Sequence, residues 1–452
     1  MLRLTHNRVS GIRVLALGVL LAVVMAAGMV LAAQPAHATT TFYVNSTADN
    51  IDANVFAPSC DTGNLVPGSG DTMEGECTLR AAIQQANYTT GADTINFAIP
   101  GSDVRTIAPA TALPKITDPV TINGYSQPGA HPNTRAVGSD AVLKIELSGA
   151  SSPEEDGLEI AASNSTVKGL VINRWGDLGI LVSGGSTSNK VVGNYIGTDA
   201  SGMKDLGNEE SGVYIYQGSN NTLGGAAPAE RNVVSGNGED GVKIYGPTAI
   251  NNKVAGNYIG TDKTGTAPLG NVESGVDINA APNNTVGGTT AGARNLVSGN
   301  GGYGVVVYNN GATGNRILSN SIFANAGLGI DLGYDGPSLN DAGDADTGPN
   351  GLQNKPVITS AKNADGKTTV RGKLNSAPNK TFTVQFFSNP SGTDEGKVFI
   401  GQKSVTTDGS GNVTFAFSPA QKVALGRTIT TTATSPGGST SEFSAPRTVV
   451  ST

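Results

Sequence analysis

A 63-residue internal repeat constrains this chain more than any other feature of it. Asn189-Lys190-Val191-Val192-Gly193-Asn194-Tyr195-Ile196-Gly197-Thr198-Asp199 returns, with one substitution, as the segment from Asn252 to Asp262. The same offset separates Asn221-Thr222-Leu223-Gly224-Gly225 from Asn284-Thr285-Val286-Gly287-Gly288, and Arg231-Asn232 from Arg294-Asn295. Each unit holds two related halves. A Gly-Val-x-Ile strand begins at Gly212, Gly241 and Gly275, recurs as Gly304-Val305-Val306-Val307, and is weaker at Gly157, Gly179 and Gly329. Steps of 22 to 34 residues between these glycines describe a short coil that a loop sometimes extends. Brief alternating strands punctuated by Gly and Asn predict a solenoid that stacks one coil on the next. Val213/Ile215, Val242/Ile244, Val276/Ile278 and Val305/Val307 are its inward columns. Asn suits the turns because it tolerates the left-handed conformation, and stacked Asn side chains can bond from coil to coil. Leucine-rich repeats need Leu at closer spacing and propellers need aromatic blade signatures; neither pattern is present.

The first 38 residues read as an address. Arg3, Arg8 and Arg13 precede an uncharged apolar run over 14–33, and Ala36-His37-Ala38 supplies the small-x-small site of a signal peptidase. The run is long enough to span a bilayer, so an uncleaved anchor is the rival to a cleaved signal peptide. Export predicts a secreted or cell-surface protein, with no membrane contact after cleavage. It also favours joining the two cysteines, Cys60 and Cys77, in a disulfide. Cys77 leads into residues 78–87, an amphipathic helix with Thr78 as N-cap and Leu79, Ala82, Ile83 and Ala86 on one face. Residues 39–125 thus form an N-terminal cap and the first strands, and 126–352 the repeats. From 353 to 452 the pattern changes to longer Thr/Val/Phe strands separated by Asp365-Gly366, Asp408-Gly409 and Pro436-Gly437. That suits an Ig-like β-sandwich able to cover the last coil.

Cys77-Thr78-Leu79-Arg80-Ala81-Ala82-Ile83, the later Ile122-Asn123-Gly124-Tyr125-Ser126-Gln127-Pro128-Gly129-Ala130 and the Gly-Asn-x-Ile-Gly-Thr-Asp repeats resemble the CSLREA-type β-helix proteins of exported bacterial proteomes. The resemblance runs from about Phe42 to Phe443, with Thr78 and Ala81 where the family carries Ser and Glu. It implies an all-β, right-handed parallel β-helix of the pectin-lyase-like class, and no particular activity.

Residues 39–352 carry 15 Lys+Arg against 31 Asp+Glu, a surface unsuited to the phosphates of nucleic acid. Carboxylates for glycoside hydrolysis are available at Glu209, Glu210, Glu239, Asp240, Glu273 and Asp277, but residue order alone brings no two of them together. Lys243 and Arg174 are the basic residues a lyase could draw on. No catalytic residue is assigned from sequence. The outward positions of the main strand column are more informative: Tyr214/Tyr216, Lys243/Tyr245, Asp277/Asn279 and Tyr308 form a broken aromatic stripe with polar neighbours, suited to sugar rings. Asp331, Asp335, Asp341, Asp344 and Asp346, in a Gly- and Asn-containing tract, suggest oxygen ligands for Ca²⁺, against the plainer reading of a polar linker. The expected function is an exported non-catalytic surface or matrix protein whose face binds glycans or envelope partners. The alternatives are a polysaccharide lyase or glycoside hydrolase on the same face, or a self-associating structural component. Convergent carboxylates would favour an enzyme, and a flat Tyr/Asn face would favour binding.

Overall fold

The computed structural model describes residues 39–68, 72–152 and 154–452; the leader read at 1–38 lies outside them. Among the described residues the coils build three parallel sheets, of nine, eight and seven strands. The first runs from Thr41–Val44 to Arg316–Leu318, the second from Arg105–Ile107 to Ser321–Phe323, and the third from Leu158–Ile160 to Ile330–Leu332. Parallel strands joined by crossovers wind right-handed, and the molecule is a right-handed parallel β-helix. The inward columns of the third sheet are buried as expected, from Val213 and Ile215 to Val305 and Val307. Glycine precedes each of these strands because a side chain would strike the neighbouring coils. A Cβ at Gly241 would lie 2.7 Å from Ile259 Cγ2 and 2.8 Å from the Gly275 carbonyl oxygen.

Buried asparagines stack along the axis in three ladders. In one, Asn221, Asn252 and Asn284 each accept the preceding Asn backbone N–H on the side-chain oxygen. The Asn252 amide donates to Gly218 O and to Asn284 Oδ1, at 2.9 and 3.1 Å. The left-handed conformation falls on a different member of the Asn-Asn pairs. Asn220, Asn251 and Asn283 have φ near 60° and make the turn, while the residues after them stack.

At the N-terminal end the helix Leu79–Tyr88 covers the first coil, its Thr78 Oγ1 accepting the Ala81 N–H at 3.0 Å. The Cys60–Cys77 disulfide fastens its entry. Glu76 is buried beside it and accepts hydrogen bonds from Ser46, Asn50, Thr62 and Asn64. Burial opposes its charge, but the four donors outweigh that and bring its pKa down to about 2. At the other end two four-stranded, mainly antiparallel sheets form the Ig-like sandwich, around Val370, Phe382, Phe386 and Ile429. It closes the open edge of the last coil: Ile322 bridges Gly396, and Gln385 exchanges hydrogen bonds with Ser319. No helix among the described residues is long and apolar enough to cross a membrane.

Candidate functional site on the third sheet

Strand register decides which side chains share the outer face. Leu181, Tyr214, Lys243, Asp277, Val306 and Asp331 form one column, and Tyr216, Tyr245, Asn279 and Tyr308 the next. Tyr216 and Tyr245 stack nearly parallel, 4° apart with centroids at 5.8 Å, and Tyr214 meets both edge-on. Tyr216 is 40% exposed. Asn279 Nδ2 donates to the Tyr308 hydroxyl at 2.7 Å, and that hydroxyl is hydrogen-bonded to Asp277.

Beside this face runs a stripe of acids. Backbone hydrogen bonds place Asp177, Glu210, Glu239 and Glu273 at one position on successive coils. All four lie two residues before a strand glycine, so the stripe was readable from the repeat, yet Asp177 escaped the sequence reading. Glu210 is exposed, and its hydrogen bond with the Asp177 carboxyl, reinforced by burial and by Asp177's charge, pushes its pKa up to about 7. One coil further, Lys243 Nζ lies 3.4 Å from Glu239 Oε2 and 3.7 Å from Asp240 Oδ2.

Beneath this surface sit two enclosed acids. Asp240 is 1% and Asp277 3% exposed, and one oxygen of each has no hydrogen-bond partner. Burial raises both pKa values; Lys243 opposes the rise, and Glu273 adds to it. Burial also works against the Lys243 ammonium, but Asp240, Asp277 and Glu239 outweigh it and hold the amine protonated. Arg174, the other basic residue considered, is paired with Glu146 at 3.0 Å.

The aspartate tract does not converge as one five-residue group. Asp331 is a buried member of the strand column, accepting the Tyr334 and Gly336 N–H groups at 2.7 and 3.0 Å. Asp335 is not in the cluster either. Asp341, Asp344 and Asp346 do meet, with ligand oxygens within 4.8 Å of one another. Asp344 already accepts from Ser376, Gln353 and Asn354, while one oxygen each of Asp341 and Asp346 has no partner.

No family model matches the chain, and no curated protein does. Among solved structures it is similar to an alginate lyase from Paenibacillus sp. FPU-7, with 18% identity over 56% of this chain and 96% of that one, at a TM-score of 0.23. A pectate lyase shares 15% identity over 68% of this chain and 83% of its own, at 0.24. A tailspike protein of an Acinetobacter baumannii bacteriophage, described as a capsular polysaccharide depolymerase, shares 8% over 84% and 71%, at 0.21.

Proposed function

We propose that the third-sheet face binds a polysaccharide outside the cell and hydrolyses it at the acidic stripe, as a glycoside hydrolase. One observation carries this reading: the exposed Glu210 carboxyl, hydrogen-bonded to Asp177 and with its pKa pushed up to about 7, stands one coil from Glu239, which is ion-paired to Lys243. Hydrolysis needs this division, a protonated acid for the leaving oxygen and a carboxylate for water or the anomeric carbon. Glu210 is the acid and Glu239 the carboxylate. The hydrogen bond with Asp177 positions Glu210, and the buried Asp240 and Asp277 keep the Lys243 ammonium beside Glu239. The lyase alternative is less well supported, because elimination requires a free base and the Lys243 amine is held protonated. The Tyr216/Tyr245 pair offers the sugar an apolar platform, with Tyr214, Lys243, Asn279 and Tyr308 around it.

The test is reducing-sugar release from a panel of neutral polysaccharides. Glu210→Gln and Glu239→Gln should each lower turnover by about 10²–10⁴-fold and leave retention on the same polymer unchanged. Retention without cleavage by the wild-type protein would leave the non-catalytic binding reading, which the exposed stacked pair also favours. In either reading the partner is a glycan or another envelope component. We further propose, on its motifs alone, that the chain belongs with the CSLREA-type exported proteins. The Asp341/Asp344/Asp346 cluster is the part of the aspartate tract proposed to take Ca²⁺.

A further inference from the structure

We propose that Tyr303, Tyr308 and Tyr334 form a second sugar-binding platform, further along the same face from Tyr214, Tyr216 and Tyr245, so that a linear neutral polysaccharide lying along the axis is gripped at two places beside the acidic stripe. This deepens the hydrolase reading by adding the far half of the substrate path, although the platform's binding can be measured without any cleavage. Tyr303 lies just before one strand of the third sheet and Tyr308 ends that strand, while Tyr334 reaches back from the turn of the next coil. Its ring centroid lies 5.3 Å from each of theirs.

The way Tyr334 is held points to a ligand. It is 49% exposed, and its φ of 67° lies in the left-handed region that a bulky side chain occupies only at a cost. A wholly buried aspartate, Asp331, fixes that conformation by accepting the N–H groups of Tyr334 and Gly336. Strained backbone and a buried carboxyl thus combine to keep an aromatic ring in solvent. Where the face continues, a cleft of about 660 Å³ opens among Asn309, Asn310, Asp335 and Leu339, amides and a carboxylate beside an apolar side chain. From the coil of Tyr216 to that of Tyr334 is four coil spacings, roughly 19 Å at the usual strand separation. The carboxylates along the way argue for a neutral chain over a polyanion.

Affinity electrophoresis of the full chain through gels carrying xylan, glucomannan or laminarin, with polygalacturonate as the anionic comparison, tests the platform. Tyr334→Asn is the informative variant, since Asn accepts the left-handed conformation and removes the ring without disturbing the turn. Its thermal midpoint should equal or exceed that of the wild type, while affinity for the retarding neutral polymer falls by about 3- to 10-fold, the weight of one aromatic contact. Tyr334→Phe should bind like wild type, and Tyr216→Ala should weaken binding to a similar degree. Undiminished retardation of Tyr334→Asn would overturn the platform, as would a wild-type protein that no neutral polymer retards. If Tyr334→Asn loses retardation but the wild type releases no reducing ends, the platform stands and the hydrolase reading fails.

Discussion

At Asp277 a carboxyl group is enclosed with one oxygen unpartnered, beside a second buried acid. A carboxyl whose pKa is raised on folding contributes stability that is complete below its unfolded value and is lost as pH rises through the folded one. Asp277→Asn should therefore melt a few degrees above wild type at pH 7.5, and the difference should vanish near pH 4; equal midpoints at both pH values would contradict the burial argument. Glu210 sets a second pH dependence, because only its protonated form can serve as the acid. With its pKa near 7, kcat/KM should fall about tenfold per unit above that pH. A profile flat to pH 9 would remove Glu210 from the role. The repeat made most of these residues legible: their offset from each strand glycine is fixed, so the register along the face could be written down in advance. Tyr303, one residue before Gly304, was within reach of the same register; Tyr334 was not, since it reaches the face through a turn held by Asp331, inside a tract that reads as linker.

Among the elements, the Asn ladders and the cap carry distinct liabilities. Asn252 satisfies the buried Asn221 N–H and Gly218 C=O. Asn252→Leu leaves both unpaired and should cost on the order of 2–6 kcal/mol, at ~1–3 kcal/mol per buried group. Chemical denaturation would show it, and a loss under 1 kcal/mol would mean that neighbouring coils rearrange. The Cys60–Cys77 disulfide closes a short loop, and Cys60→Ser with Cys77→Ser should destabilise the cap by roughly 3 kcal/mol. Limited proteolysis should then cut first within 45–77, before any of the coils. The capping helix and the coil strands were readable because Thr78 and the apolar spacing agree with their final burial. Val357–Ala364 was missed as a strand: only Ile358, Ala361 and Asn363 are buried along it, too weak an apolar alternation to stand out.

On the scale of the whole molecule, a strongly acidic solenoid is joined to a basic sandwich through a tract in which three aspartates meet. If Ca²⁺ occupies that cluster, millimolar Ca²⁺ should raise the melting temperature over chelator by an amount that grows with free ion relative to its dissociation constant. Proteolysis near Gly351 should slow in parallel. Asp341→Asn should abolish both responses, and identical melting with and without the ion would leave the tract a polar linker. The sequence could not separate these three aspartates from Asp331 and Asp335, because their meeting depends on Gln353, Asn354 and Ser376 of the sandwich side.

The 63-residue unit has one more consequence, for how such a face can come to differ along its length. Across one offset the inward residues are nearly unchanged, Val213 and Ile215 facing Val276 and Ile278, Val242 facing Val305, and Asn221 facing Asn284. Positions off the inward columns have diverged: Tyr214 becomes Asp277, Tyr216 becomes Asn279, and Lys243 becomes Val306. A copied segment inherits its core and its ladder rungs intact, and so stacks without renegotiating either. Its surface is then released from folding and open to new chemistry. A molecule of this kind can lengthen by whole units, each arriving as a folded blank on which a different stretch of the same groove can be written.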